Sequence, residues 1–286
     1  YSISGGADAA KFAINASTGV LTFVSAPNFE APSDAGGINI YDVTVQVSDG
    51  TNTDTQAMAV TVTNLNDIAP VITSNGGGAT AGVSVAENST AVTTVTATDA
   101  DGTTTYTYSI SGGADATKFA IDASTGALAF VSAPNFDVAG DAGVDNVYDV
   151  VVQVSDGTNV DTQAIAVTVT GVNDNTPAIT SNGGDATAGV SVDENATAVT
   201  TVTASDADQG TGSSLTYSIS GGADSTKFAI NGSTGALTFV SAPNYEAQTD
   251  ADANNVYDVT VQVSDGTNTD TQAIAVTVTG VNDNSP

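Results

Sequence analysis

The chain has 286 residues, with 32 acidic side chains, three lysines, no arginine and no histidine, for a net charge of -29 at neutral pH. That field repels nucleic acid and anionic membrane surfaces, which makes both poor partners. Cysteine is absent, Met58 is the only methionine and no apolar run approaches the ~18 residues of a membrane helix, so thiol chemistry and direct membrane insertion are excluded as well.

The hydrophobic fraction of 40% separates the chain from disordered acidic tails. Most of it is Val and Ala, so the expected core is one of small side chains. YSISGGAD occurs three times, starting at Tyr1, Tyr108 and Tyr217, at intervals of 107 and 109 residues. Spacing of that size fits one all-β domain per interval. In chain order, residues 12–23 (FAINASTGVLTF) read as two short strands around an Asn15–Gly19 turn. Val43, Val45 and Val47 then alternate with Asp42, Thr44 and Gln46, and further on Ile165, Val167 and Val169 alternate with Ala166, Thr168 and Thr170. Period-two alternation marks strands with one buried face. Seven such segments per repeat, separated by Gly, Asn, Asp and Pro, predict a β-sandwich with no helix.

Boundaries fall at Asn66-Asp67, Asn173-Asp174 and Asn282-Asp283, each shortly before a proline. Residues 1–67 read as an incomplete repeat that lacks the first two strands, the counterparts of Gly82–Val85 and Val92–Ala97. Residues 68–174 and 175–283 read as full repeats, and residues 284–286 open the next junction. Asp101 to Tyr108 spans 7 residues and Asp208 to Tyr217 spans 9, which places a two-residue insertion in the loop after the DAD motif of the third repeat.

Acidic residues recur by position. There are only four glutamates, Glu87 and Glu194 in xEN and Glu30 and Glu246 after an Asn and an aromatic. Asp99 and Asp101, like Asp206 and Asp208, form DAD; Asp67, Asp174 and Asp283 lie in the linkers; Asp49, Asp156 and Asp265 lie in SDG. So many carboxylates with no His or Cys suit a hard, oxygen-seeking cation.

These five motifs, in this order along the whole chain, resemble the cadherin repeat, in the form found in bacterial adhesins of the RTX or type I-secreted kind. The resemblance implies tandem Greek-key, immunoglobulin-like β-sandwiches in an elongated rod, with two or three Ca2+ ions at each inter-repeat junction. It assigns Glu87, Asp137, Asp174, Asp206, Asp208 and Asp265, with the carbonyls of Val172 and Asn173, to the junction between repeats 2 and 3. At the junction between repeats 1 and 2 it assigns Glu30, Asp67, Asp99, Asp101 and Asp156, with the carbonyls of Leu65 and Asn66. Glu194, Glu246 and Asp283 are the corresponding start of a further site. The chain departs from the family's pattern where Asn28, Asn135 and Asn244 replace acidic residues, where Asn64, Gly171 and Gly280 replace the first linker Asp, and where Ile68 replaces the final linker Asn.

The implied role is a calcium-stiffened extracellular spacer of a surface adhesin, whose partners are calcium and neighbouring repeats. Two alternatives stay open: adhesion by the repeats themselves, to like repeats or to cell-surface glycans, and a fibre subunit completed by strand donation. Catalysis has no foothold, because paired carboxylates replicated at every junction suit a structural ion site rather than an active site. Asp8, Asp115 and Asp224 read as turn residues and Asp42, Asp149 and Asp258 as a solvated strand face. Asn15, Asn88, Asn195 and Asn231 read as turn residues rather than glycosylation sites, and Lys11, Lys118 and Lys227 as snorkelling side chains rather than isopeptide staples.

Overall fold

The structure, a computed structural model, describes residues 1–102, 105–208 and 214–283. The insertion expected after Asp208 and the junction residues 284–286 lie outside the described residues. Contacts divide the chain into two compact units: Tyr1–Ser84, Thr90–Ser132 and Val147–Thr168 in one, and Val85–Ser89, Ala133–Asn146 and the chain from Val169 onward in the other. Nearly all regular structure is β. The only helical turns among the described residues are four three-residue 3-10 segments, at Ala9–Lys11, Ala116–Lys118, Ser181–Gly183 and Ser225–Lys227. No helix among the described residues is long and apolar enough to cross a membrane.

In the second unit a four-stranded sheet runs in the order Thr187–Asp193, Thr269–Thr279, Val256–Ser264, Thr216–Gly221. The first pair is parallel and the others are antiparallel. A three-stranded sheet joins Ala198–Thr201, Ala236–Phe239 and Phe228–Ile230. Alternation decides the inner face: Val259, Val261 and Val263 are at most 1% exposed, and they pack with Ile274, Val276, Val278, Phe228, Leu237 and Phe239.

Among the described residues, the repeat from Ala178 to Thr279 has nine strand segments rather than seven, because the first two strands are each broken. Ala178–Ile179 pairs antiparallel with Ala204–Ser205. The chain then turns at Ser181–Gly183 and joins the other sheet as Thr187–Asp193. Gln272, fully buried, satisfies this crossing: its Nε2 donates to the carbonyls of Asp185 (2.8 Å) and Ser181 (3.3 Å), and its Oε1 accepts from Asn182 (3.2 Å). A buried crossing needs such a partner, since free carbonyls away from water are costly.

The strands from Val71 to Thr170 follow the same order. Residues 1–67 hold a three-stranded sheet, Ser2–Gly5, Ile40–Ser48 and Thr53–Thr61, and the pair Phe12–Ile14 with Leu21–Phe23. No second strand flanks Thr53–Thr61 among the described residues, so Met58 is 38% exposed where its counterparts Ile165 and Ile274 are 1% exposed.

Each repeat centres on two Phe and one Tyr. Phe228 and Phe239 stack at 4.6 Å, and Tyr257 meets Phe239 edge-on at 5.2 Å. Phe12, Phe23 and Tyr41 repeat the arrangement, as do Phe119, Phe130 and Tyr148. Asp224 does more than close a turn. Its buried carboxylate accepts the amides of Ala251 (2.7 Å) and Asp258 (2.9 Å), tying the SGGAD segment to a distant loop and strand. Asp8 does the same with Ala35 and Asp42. Gly222 makes this approach possible: at φ +105° a Cβ there would lie 2.4 Å from the Asp258 carbonyl oxygen. Gly266 has a similar φ of +98° and nothing within 4 Å of the same position. Gly222→Ala is therefore expected to lower unfolding free energy by about 1–3 kcal/mol more than Gly266→Ala. Denaturant titration of the two variants checks this; equal losses would show that dihedral strain alone is felt.

Candidate metal centre

The fullest acidic cluster lies inside the second unit. Glu87, Asp137, Asp174 and Asp208 each bring a carboxylate oxygen within 4.8 Å of the others. Glu87 is 3% exposed and follows the strand Thr80–Ala86 directly. Its backbone amide donates to the Thr170 carbonyl (2.9 Å), which continues the sheet to the side chain that matters. Glu87 Oε2 accepts the Phe136 amide and Oε1 the Val172 amide, both at 2.7 Å. One carboxylate thus fixes both the loop that carries Asp137 and the linker that leads to Asp174.

Asp208 is fully buried and Asp206 precedes it by two residues, with Asp206 Oδ1 accepting the Asp208 amide at 3.0 Å. Asp265 accepts the Thr267 and Asn268 amides at 2.6 Å through Oδ1, and its backbone carbonyl accepts the Asn173 side chain at 3.3 Å. The Asp-Gly turn holds Asp265 through Oδ1, and its Oδ2 is buried with no hydrogen-bond partner.

In the first unit Glu30, Asp67 and Asp101 converge in the same way. Asp99 Oδ1 accepts the Asp101 amide at 2.8 Å, and Asp156 repeats the SDG turn with Thr158 and Asn159. With its side-chain amide turned over, the Asn66 nitrogen reaches Asp156 Oδ2 at 2.9 Å and Asp101 Oδ2 at 3.3 Å. Leu65 is 71% exposed, with its carbonyl accepting the Asp67 amide at 3.0 Å. A third group joins Glu194, Glu246 and Asp283, and Glu194 repeats the bracing role, accepting the Tyr245 and Val281 amides at 2.8 Å.

The decisive feature is a set of buried oxygens with no hydrogen-bond partner: Glu30 Oε1, Asp99 Oδ2, Asp101 Oδ1, Asp206 Oδ2, Asp265 Oδ2 and the amide oxygen of Asn173. Buried carboxylate oxygens of this kind are costly. A donor set of carboxylate, amide and carbonyl oxygens fits a hard divalent cation. Unpartnered buried amide oxygens also occur outside the clusters, at Asn39, Asn146 and Asn255, where each backbone amide is held by the aspartate five residues earlier.

Residues 189–279 match the family model for the cadherin domain. The repeats are cadherin-like. No curated protein sequence matches the chain. Among solved structures, protocadherin gamma B2 extracellular cadherin domains 3–6 align over 94% of this chain at TM-score 0.68 and 21% identity, and this chain spans 65% of that fragment. Mouse cadherin-23 EC22-24 aligns over 98% of this chain and 86% of its own length, at TM-score 0.66 and 21% identity. The protocadherin gammaB7 EC3-6 cis-dimer structure aligns over 96% and 66%, at TM-score 0.70 and 22% identity.

Electrostatics differ across the acidic clusters. Burial pushes the Asp137 carboxyl up, and the charges of Asp208, Glu87 and Asp174 add to this against the lowering effect of the Asn175 amide. Burial also acts to raise Asp156 and Asp265, but the amides of Asn159 and Thr158, and of Asn268 and Thr267, hold both below the ordinary carboxylate range. Asp49 is held low by the Asn52 and Thr51 amides.

Three participants are missing from the sequence-derived ligand set. Asn175 donates its side-chain amide to Asp137 (2.7 Å), Asp208 (3.0 Å) and Asp174 (3.2 Å). Asn88 and Asn195 donate to Asp174 and Asp283 at 2.5 and 2.7 Å. The signal was present, since each amide stands next to a motif acid, in xEN or NDN. Asn15 and Asn231 are turn residues, each accepting the backbone amides two and three positions on. Lys11, Lys118 and Lys227 are exposed, which does not suit a buried covalent staple.

Replacing Glu87 by Gln turns one acceptor into a donor that faces a backbone N–H. The amides of Phe136 and Val172 are then expected to exchange about tenfold faster in chelator, the cost of about one broken buried hydrogen bond. Hydrogen exchange resolved by residue checks this, and unchanged rates would remove Glu87 from its bracing role.

Proposed function

We propose that the chain is a calcium-binding stretch of a bacterial extracellular adhesin, in which the repeats 1–67, 68–174 and 175–283 act as a spacer that calcium stiffens. The observation that carries this reading is the recurrence, at repeat spacing, of converging carboxylate groups, accompanied by buried, unpartnered carboxylate oxygens at Glu30, Asp99, Asp101, Asp206 and Asp265. The cadherin-like fold and the composition support it: 32 acidic residues against three basic ones make a chain that favours counter-cations.

Calcium would supply a compact positive charge able to accept six to eight oxygens. The chain's own residues do the rest. Glu87 and Asp137 come from residues 68–174, Asp206, Asp208 and Asp265 come from residues 175–283, and Asp174 stands in the linker, with Val172 and Asn173 beside it. Glu30, Asp67, Asp99, Asp101 and Asp156, with Leu65 and Asn66, form the equivalent set one repeat earlier, and Glu194, Glu246 and Asp283 begin the next. Binding that requires carboxylates from two repeats favours one ordered linker over the many a free linker samples. Two or three ions per junction match the number of carboxylates and their departures from the family's pattern.

Asp174→Ala removes the linker carboxylate. Calorimetry on the whole chain is expected to show loss of most calcium binding at that junction, with wild-type affinity in the extracellular range of roughly 10⁻⁴–10⁻³ M. Unchanged stoichiometry and affinity would sink the ligand assignment. Small-angle scattering tests the stiffening separately: chelation is expected to shorten the maximum dimension while the β circular-dichroism signal persists. Superimposable profiles with and without calcium would mean that the ion does not stiffen the linkers.

A further inference from the structure

We propose that the side-chain amide of Asn175 acts as a built-in counter-ion for the Glu87, Asp137, Asp174 and Asp208 cluster, holding this linker in the absence of metal and competing with a cation for the same oxygens. The inference rests on the calcium reading for its second half only.

An amide NH2 group carries two hydrogens with partial positive charge. Here it has three carboxylate acceptors from three separate stretches of chain: Asp137 Oδ2 at 2.7 Å, Asp208 Oδ1 at 3.0 Å and Asp174 Oδ1 at 3.2 Å. Hydrogen bonds to ionised acceptors are about twice as strong as neutral ones. Asp137, Asp174 and Asp208 also belong to the group whose oxygens lie within 4.8 Å of one another. A cation that takes those oxygens must displace the NH2 group from them. Asn175 is held at this point by its backbone, whose amide donates to Asp208 Oδ2 (2.7 Å) and whose carbonyl accepts from Asn268 (2.8 Å).

The preceding linker provides the comparison within the same molecule. Ile68 occupies the corresponding position with the same backbone frame: its amide donates to Asp101 Oδ2 at 2.9 Å and its carbonyl accepts from Asn159 at 3.2 Å. Its side chain has no donor. Asn66 reaches Asp156 Oδ2 and Asp101 Oδ2 with its amide nitrogen only when its side-chain amide is turned over. Among the described residues, no side-chain amide joins three carboxylates of the Glu30, Asp67 and Asp101 group as Asn175 joins Asp137, Asp174 and Asp208.

The test uses hydrogen exchange on the full chain in chelator and in millimolar calcium. Asn175→Ile and Asn175→Asp both remove the donors. In chelator each is expected to speed exchange of the Phe136, Val172 and residue-175 amides about tenfold, the effect of losing one or two charge-assisted hydrogen bonds. The Val261 amide, deep in the sheet, should stay protected and reports that the fold is intact. Calcium is expected to restore wild-type rates in Asn175→Asp, which should also bind calcium at least threefold more tightly than wild type. Ile68→Asn is the reciprocal gain, expected to slow exchange of the residue 65–68 amides in chelator. Wild-type protection in chelator for either Asn175 variant, or no slowing in Ile68→Asn, overturns the counter-ion role. Loss of protection that calcium does not reverse overturns the competition while leaving the metal-free hold in place. Absence of calcium binding to the wild type bears on the proposed function alone, because the chelator comparison contains no metal.

Discussion

Glu87, Asp137, Asp174 and Asp208 hold oxygens within 4.8 Å of one another, and repulsion between unit charges at that range is about 1 kcal/mol in water and about 3–4 kcal/mol at a protein surface. The fold spends its available donors against this repulsion. Backbone amides go to both oxygens of Glu87 and to Asp208, and side-chain amides go to Asp174 and Asp137. What the donors leave over, at Asp206 and Asp265, is buried oxygen with nothing bound to it. The strand ends, the tight Asp-Gly turns and the linker geometry keep this charge concentrated.

The core has the opposite character. Its buried side chains are mostly Val, with Ile, Leu and one aromatic trio per repeat, so no single large side chain dominates it. Order comes instead from polar cross-links at fixed points. Asp224 ties a turn to a loop and a strand, Gln272 satisfies the crossing between sheets, and Asp270 receives the Ile179 amide where the first strand breaks. Buried polar groups of this kind specify one arrangement because any shift leaves them unpaired.

The sandwich was legible in the sequence because alternation maps directly onto two-faced strands: Val259, Val261 and Val263 point inward, while the exposed Asp258 sits on the other face. The acidic clusters were legible because replication shows which carboxylates travel together. The breaks in the first two strands were not. Ala178–Ile179 and Thr187–Asp193 belong to different sheets, and only the partner strands decide that. The cross-links of Asp8 and Asp224 were also hidden, because a carboxylate that reaches about 27 to 34 residues along the chain looks locally like any turn aspartate. Ile68 against Asn175 reads as a minor substitution until the three carboxylates around the amide are located.

The parallel pairing of Thr187–Asp193 with Thr269–Thr279 joins the beginning of the third repeat to its end over seven consecutive residue pairs. Because both strands run in the same direction, tension applied at the two ends of that repeat pulls them past each other lengthwise. The hydrogen bonds between them must then break together rather than one at a time, as they would in a hairpin opened from its free ends. Resistance to such shearing is set by the height of the unfolding barrier rather than by equilibrium stability. A repeat with a modest core of mostly valine can therefore be strong under load along one axis, and weak to any force that peels its edge.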